Sequence, residues 1–154
     1  MIQRIQSLYI AVVVCLSVLL LFNGIVSFIG NEGGEFELRY NGLYQLTGGA
    51  WNKTESLFPL TFLLLIVAFL SFITFFLFKW RRLQLRASVL TLLLLLGEVI
   101  MIAFYLYYVA AKYEVTVLFS LKITFPIVSA VLMYLAFRGI LKDELLVRSY
   151  ERLR

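Results

Sequence analysis

Lys79-Trp80-Arg81-Arg82-Leu83-Gln84-Leu85-Arg86 stands between two long apolar runs in the middle of a 154-residue chain. It holds four of the 14 Lys and Arg residues. Short loops rich in these residues stay on the cytoplasmic side of a bilayer. The stretch therefore reads as a cytoplasmic turn between two membrane spans, and placing it inside gives every other segment a side.

Working outward, four apolar runs fall at 8–29, 57–78, 87–108 and 115–137. Each is about 22 residues long, and roughly 20 residues are needed to cross a ~30 Å hydrocarbon layer. The first run is longer than the ~7–15 apolar residues of a signal peptide, so it reads as an uncleaved first helix. Asn23, Gly24 and Ser27 near its end are small or weakly polar and suit helix contacts. Ser56 and Pro59 suit the start of the second span. Trp51 and Trp80 flank that span, and Tyr105, Tyr107 and Tyr108 close the third, where interfacial aromatics gather. Pro126 within the fourth run predicts a bend. The inner loop is 79–86, and residues 138–154 form a cytoplasmic tail. In that tail Leu146, Tyr150 and Leu153 share a stripe that predicts a short surface helix.

The outer loop, 30–56, alternates polar and apolar residues through Glu35-Phe36-Glu37-Leu38-Arg39-Tyr40, followed by Asn41-Gly42 and Leu43-Tyr44-Gln45-Leu46-Thr47. Asn-Gly between alternating runs signals a hairpin. Gly33-Gly34 and Gly48-Gly49 bracket it. The expected fold is an all-α membrane protein: one domain, 1–154, with four transmembrane helices in an up-down antiparallel bundle and a small extracytoplasmic β-hairpin between the first two.

Charge supports this orientation. Ten basic residues lie in the proposed inner segments: Arg4, Lys79, Arg81, Arg82, Arg86, Arg138, Lys142, Arg148, Arg152 and Arg154. Only Arg39, Lys53 and Lys112 lie outside. This bias places both termini in the cytoplasm. The net charge of +5 is distributed over loops between apolar runs, which argues against a nucleic-acid footprint. The expected partners are a lipid bilayer, anionic lipid at its inner face, and a membrane or cytoplasmic protein.

The sequence shows no catalytic, cofactor or metal signature. There is no histidine, which excludes His-ligated haem, the usual zinc sites and His-activated nucleophiles. Cys15 is the single cysteine, so neither an internal disulfide nor a CxxC pair exists. Cys15 reads as a packing residue. The sole aspartate, Asp143, is in the tail, so an aspartyl pair is absent as well. No enzyme and no cofactor are expected.

Glu98 and Lys122 are the two charges inside the predicted spans. Counting along antiparallel neighbours puts Glu98 ~15 Å above the inner end and Lys122 ~18 Å from it. Three readings stand: a buried ion pair that fixes helix register, Lys122 snorkelling outward with Glu98 protonated, or a proton or ion pathway with Ser120, Thr124 and Ser129 beside it.

Three fragments carry a resemblance. They are Met1-Ile2-Gln3-Arg4-Ile5-Gln6-Ser7-Leu8-Tyr9, Arg82-Leu83-Gln84-Leu85-Arg86, and Lys142-Asp143-Glu144-Leu145-Leu146-Val147-Arg148-Ser149 with Arg152-Leu153-Arg154. Together they resemble a family of small four-helix membrane proteins from the Bacteroidetes, domain of unknown function family 4293. The resemblance implies a bacterial inner membrane and no particular activity. The functional expectation is a non-enzymatic anchor or accessory subunit acting through its cytoplasmic basic face. The alternative is a small oligomeric proton-coupled transporter or channel subunit using Glu98.

Overall fold

In a computed structural model, which describes residues 3–22, 24–30 and 34–152, the chain builds four helices and five strands. In order these are α1 (Gln3–Phe22), β1 (Val26–Gly30), β2 (Glu35–Arg39), β3 (Gly42–Thr47), β4 (Ala50–Glu55), α2 (Phe58–Phe76), α3 (Arg81–Tyr113), β5 (Val115–Leu118) and α4 (Thr124–Arg152). Short 3-10 turns at Leu77–Lys79 and Leu121–Ile123 precede α3 and α4. Asn23, Gly33, Leu153 and Arg154 lie outside the described residues, as do the side chains of Arg4, Lys79, Arg148, Tyr150 and Arg152.

The all-α expectation is overturned. The strands form one antiparallel sheet in the order β4-β3-β2-β1-β5, so the single predicted hairpin is part of a five-stranded unit. Two strands were hidden in apolar runs. Val26–Gly30 and Val115–Leu118 are apolar enough to prolong a helical span, and periodicity cannot separate such short runs from helix. Consequently α1 stops at Phe22, and the fourth helix starts at Thr124 instead of Val115. Pro126 then falls in the first turn of α4, where its missing N–H costs nothing and no bend is required. At α2 Pro59 sits in the first turn as expected, but Leu57 is the N-cap and Ser56 does not cap it.

The hairpin turns also shift. Arg39 pairs with Gly42, so Tyr40-Asn41 forms the β2–β3 loop and Asn41 keeps a negative φ. The double-glycine turn is the next one: Gly48 and Gly49 have φ of 61° and 81° between Thr47 and Ala50. These are the paired left-handed conformations that tight hairpins favour.

Four described helical segments are long and apolar enough to cross a membrane: Ile5–Phe22, Phe58–Phe76, Arg81–Tyr113 and Leu121–Leu146. Each helix packs against two neighbours, α1 on α2 and α4, α3 on α2 and α4. Their polarity is inverted relative to a soluble bundle. α2 exposes Phe58, Phe62, Phe69, Phe72 and Phe76 while burying Ser71 and Thr74. α3 exposes Leu90, Leu93, Ile100 and Phe104 while burying Gln84, Ser88, Thr91 and Glu98. Water would favour the opposite arrangement.

The sheet closes one end of the bundle. Val26, Phe28, Phe36, Leu38, Leu43 and Val115 join Leu20, Leu57, Leu60, Leu64, Ile102 and Val109 in one apolar cluster. A second cluster, with Ile10, Val13, Val67, Leu95, Met133 and Ile140, fills the bundle below it. α3 is 33 residues long, or ~50 Å, and so exceeds a ~30 Å hydrocarbon layer. Its last turn reaches the sheet. There Glu55, the last residue of β4, accepts bonds from the Lys112 ammonium and from the Tyr113 hydroxyl at 2.9 Å. The Lys112 hydrogen bond holds the Glu55 carboxyl below the usual carboxylate range.

Two predictions arise here. At Gly42, with φ of 155°, an added Cβ would lie 2.3 Å from the Glu55 carbonyl oxygen, whereas Gly48 faces open space. Gly42→Ala should therefore cost about 3 kcal/mol or more, and Gly48→Ala about 1 kcal/mol, in detergent unfolding experiments. Equal losses would contradict the sheet register. Because the folded pKa of Glu55 is lowered, its contribution is present above the ordinary value of 4.5 and disappears as pH falls through the folded value. The stability gap between wild type and Glu55→Gln should close as pH is lowered through that window; a constant gap would contradict the ion pair.

Candidate functional site

At the end of the bundle away from the sheet, a cavity of about 280 Å³ is lined by Gln6, Ser7, Phe78, Arg81, Gln84, Ile140 and Asp143. Its side chains come from α1, the 3-10 turn, α3 and α4. Gln6 begins the buried stripe of α1, continued by Ile10, Val13, Ser17 and Leu20. Gln84 begins that of α3, continued by Ser88, Thr91, Leu95, Glu98 and Ile102. Both amides stand one helical repeat before the core, and this keeps them buried although they are polar.

Each amide has a partner. Gln6 Nε2 donates to Asp143 Oδ2 at 2.9 Å, joining the first and last helices. Gln84 Nε2 donates to the Thr74 carbonyl oxygen at 3.3 Å. The Thr74 and Thr91 hydroxyls lie 3.4 Å apart behind it. Gly139 admits this packing, since an added Cβ would meet Gln6 Cγ at 2.8 Å. Next to the lining residues Arg81 and Asp143 in sequence, Arg82 Nε reaches Glu144 Oε1 at 3.3 Å and joins α3 to α4. Arg81 is half-buried in the cavity wall and forms no ion pair among the described residues.

The residues expected to form a basic inner face are thus brought together where they are described. Arg81 lines the cavity, Arg82 pairs with Glu144 of α4, and Arg86, Arg138 and Lys142 are exposed on the same end of α3 and α4. Arg138 also sits 5.9 Å from the Tyr134 ring centroid. Gln6 and Gln84 were not marked as site residues in the sequence, and Asp143 was noted only as the sole aspartate. The signal was available: extending the buried spacing of each helix by one repeat lands on them.

Glu98 and Lys122 are not brought together as an ion pair. Lys122 lies in the 3-10 turn after β5, outside the helix that was expected to bury it. Its Nζ donates to the Gly24 carbonyl oxygen at 2.9 Å, tying the start of α4 to the junction of α1 and β1. Ser120 caps this turn and Thr124 bonds to the Leu121 carbonyl oxygen, so both serve local structure. Glu98 is only 1% exposed, and its Oε2 has no hydrogen-bond partner. It falls between Leu95 of the lower cluster and Ile102 of the upper one. Ser17 on α1 interrupts the same boundary between Val13 and Leu20, and Ser129 on α4 lies beside Ala130. The Ser129 hydroxyl is likewise unpartnered. Among the described residues no group of His, Cys, Asp and Glu could hold a metal ion.

Residues 2–153 match the model of a family described as Domain of unknown function (DUF4293). The chain belongs to that family. No curated protein and no solved structure matches it. The three fragments that carried the resemblance converge in this fold. Gln6 and Ser7 come from the first, Gln84 from the second and Asp143 from the third, and all four line the far cavity.

A double-mutant cycle tests the separation of the two charges. Glu98→Gln and Lys122→Met should be additive, with a coupling energy below about 0.5 kcal/mol in detergent unfolding. Coupling well above that would place the two side chains in contact.

Proposed function

We propose that this protein is a non-enzymatic, multi-pass protein of a bacterial inner membrane, with both termini in the cytoplasm. It acts as an anchor or accessory subunit through the basic end of its bundle. One observation carries this reading: the polar segments from the start, middle and end of the chain assemble into a single surface around the far cavity. The exposed cations Arg86, Arg138 and Lys142 lie on the same end of α3 and α4 and suit anionic lipid or an acidic protein face. The sheet occupies the opposite end, where Glu37, Arg39, Tyr44 and Trp51 interact with one another. Arg39 pairs with Glu37 at 2.6 Å and lies over the Tyr44 and Trp51 rings.

A photo-crosslinking residue placed at Arg86 or Lys142 in cells should yield a discrete protein adduct, whereas one at Lys53 on β4 should not. Absence of an adduct from both basic-end positions would remove the anchor reading.

A second reading rests on Glu98, a buried carboxyl with an unpartnered oxygen. Intramembrane ionisable groups commonly mark ion pathways. Under this reading the chain is a small oligomeric proton-coupled transporter or channel subunit. Proton flux into liposomes that is lost with Glu98→Gln would support it, and flux indifferent to that substitution would eliminate it.

A further inference from the structure

The far cavity offers groups of both signs within one small volume. On one wall stands Arg81, a half-buried guanidinium without an ion-pair partner among the described residues. Arg81 is also the first residue of α3, whose N-cap Trp80 supplies no side-chain bond to the first turn. A guanidinium is an anion-receiving group, suited to phosphate above all. On another wall stands Asp143. Gln6 occupies one of its oxygens, and an ionised carboxylate can accept about four bonds. Its remaining capacity suits a cation that carries N–H donors. Phe78 and Ile140 complete the lining with apolar surface.

We propose that this cavity binds a phosphoethanolamine headgroup. Its phosphate faces Arg81, and its primary ammonium donates to Asp143. The headgroup carries one charge of each sign, as do Arg81 and Asp143 in the lining of this cavity of about 280 Å³. A choline headgroup has the same charges but no N–H to donate, and would leave the Asp143 acceptor unmet. A phosphoglycerol headgroup lacks the cation altogether. The location agrees with a lipid source. Gln6 lies at the start of the first apolar segment, Ile5–Phe22, and Phe78 lies just past the end of the second, Phe58–Phe76, so the cavity stands at headgroup level for a bilayer around these helices. The proposal extends beyond the anchor reading and does not depend on it, because it specifies no protein partner.

The test uses the full chain in mild detergent, offered equal amounts of ethanolamine, choline and glycerol phospholipids with identical acyl chains. Retained lipid is read by native mass spectrometry. Ethanolamine lipid should be retained roughly tenfold over each of the others, as expected for one charge-assisted bond gained or lost. Asp143→Asn keeps the shape and still accepts from Gln6, yet it should bring ethanolamine and choline lipids to parity. Arg81→Gln should reduce retention of ethanolamine lipid, while Lys53→Gln on the sheet should leave the preference intact. Circular dichroism confirms that each variant is folded. A series of mono-, di- and trimethylated ethanolamine lipids on the wild-type protein should lose retention stepwise, and this arm needs no variant at all. Displacement of the lipid by soluble glycerophosphoethanolamine would assign the same site to a free ligand. Equal retention of all three lipid classes by the wild-type protein would overturn the proposal. So would a preference that survives both Asp143→Asn and Arg81→Gln.

Discussion

The four helices carry their Phe and Leu side chains on the outside, and the rest of the structure depends on where that surface ends. In water, faces such as Phe58-Phe62-Phe69-Phe72-Phe76 would drive association or rearrangement. Within hydrocarbon they cost nothing, and the interior is free to hold small and polar residues that let helices approach closely. Ser71, Thr74, Ser88 and Thr91 occupy the interior on that basis. Thr74 and Thr91 also bond back to carbonyls one turn earlier, at Leu70 and Ala87, so their hydroxyls have partners within their own helices.

Backbone that leaves the helix must find hydrogen bonds elsewhere. The sheet supplies them by recruiting strands from two connections, four from the first and β5 from the second. This gives the α3–α4 connection a fixed place beside β1. Lys122 then bonds to the Gly24 carbonyl, and Glu55 collects Lys112 and Tyr113, so both connections are fastened to helix ends. An isolated hairpin would be marginal in water. Five strands resting on Leu20, Leu60 and Ile102 are not isolated.

Much of this was legible in the residues, for identifiable reasons. Apolar length marked four helices, and the alternation from Glu35 to Thr47 marked β2 and β3. The strands at Val26–Gly30 and Val115–Leu118 were missed because an apolar strand beside an apolar helix leaves no change of pattern at its border. That error moved Lys122 into a helix and created its apparent pairing with Glu98. The Gly48-Gly49 turn was read as an end marker, since a strand such as Ala50-Trp51-Asn52-Lys53-Thr54-Glu55 has weak alternation and no apolar face. At the far end, charge drew attention to Arg81 and Arg82. The amides that shape the cavity, Gln6 and Gln84, carry no charge and became visible only through the buried spacing of their helices.

If lipid surrounds this bundle, the sheet lies on one side of the membrane and the cavity on the other. Single cysteines answer this directly. Lys53→Cys and Arg86→Cys, each in a Cys15→Ser background, can be exposed to a membrane-impermeant maleimide in sealed vesicles of opposite orientation. The two positions should label in opposite vesicle populations, and Cys15 of the unaltered chain, on the outward face of α1, should label in neither. Labelling of both introduced cysteines from the same side, or of Cys15 from either side, would contradict it.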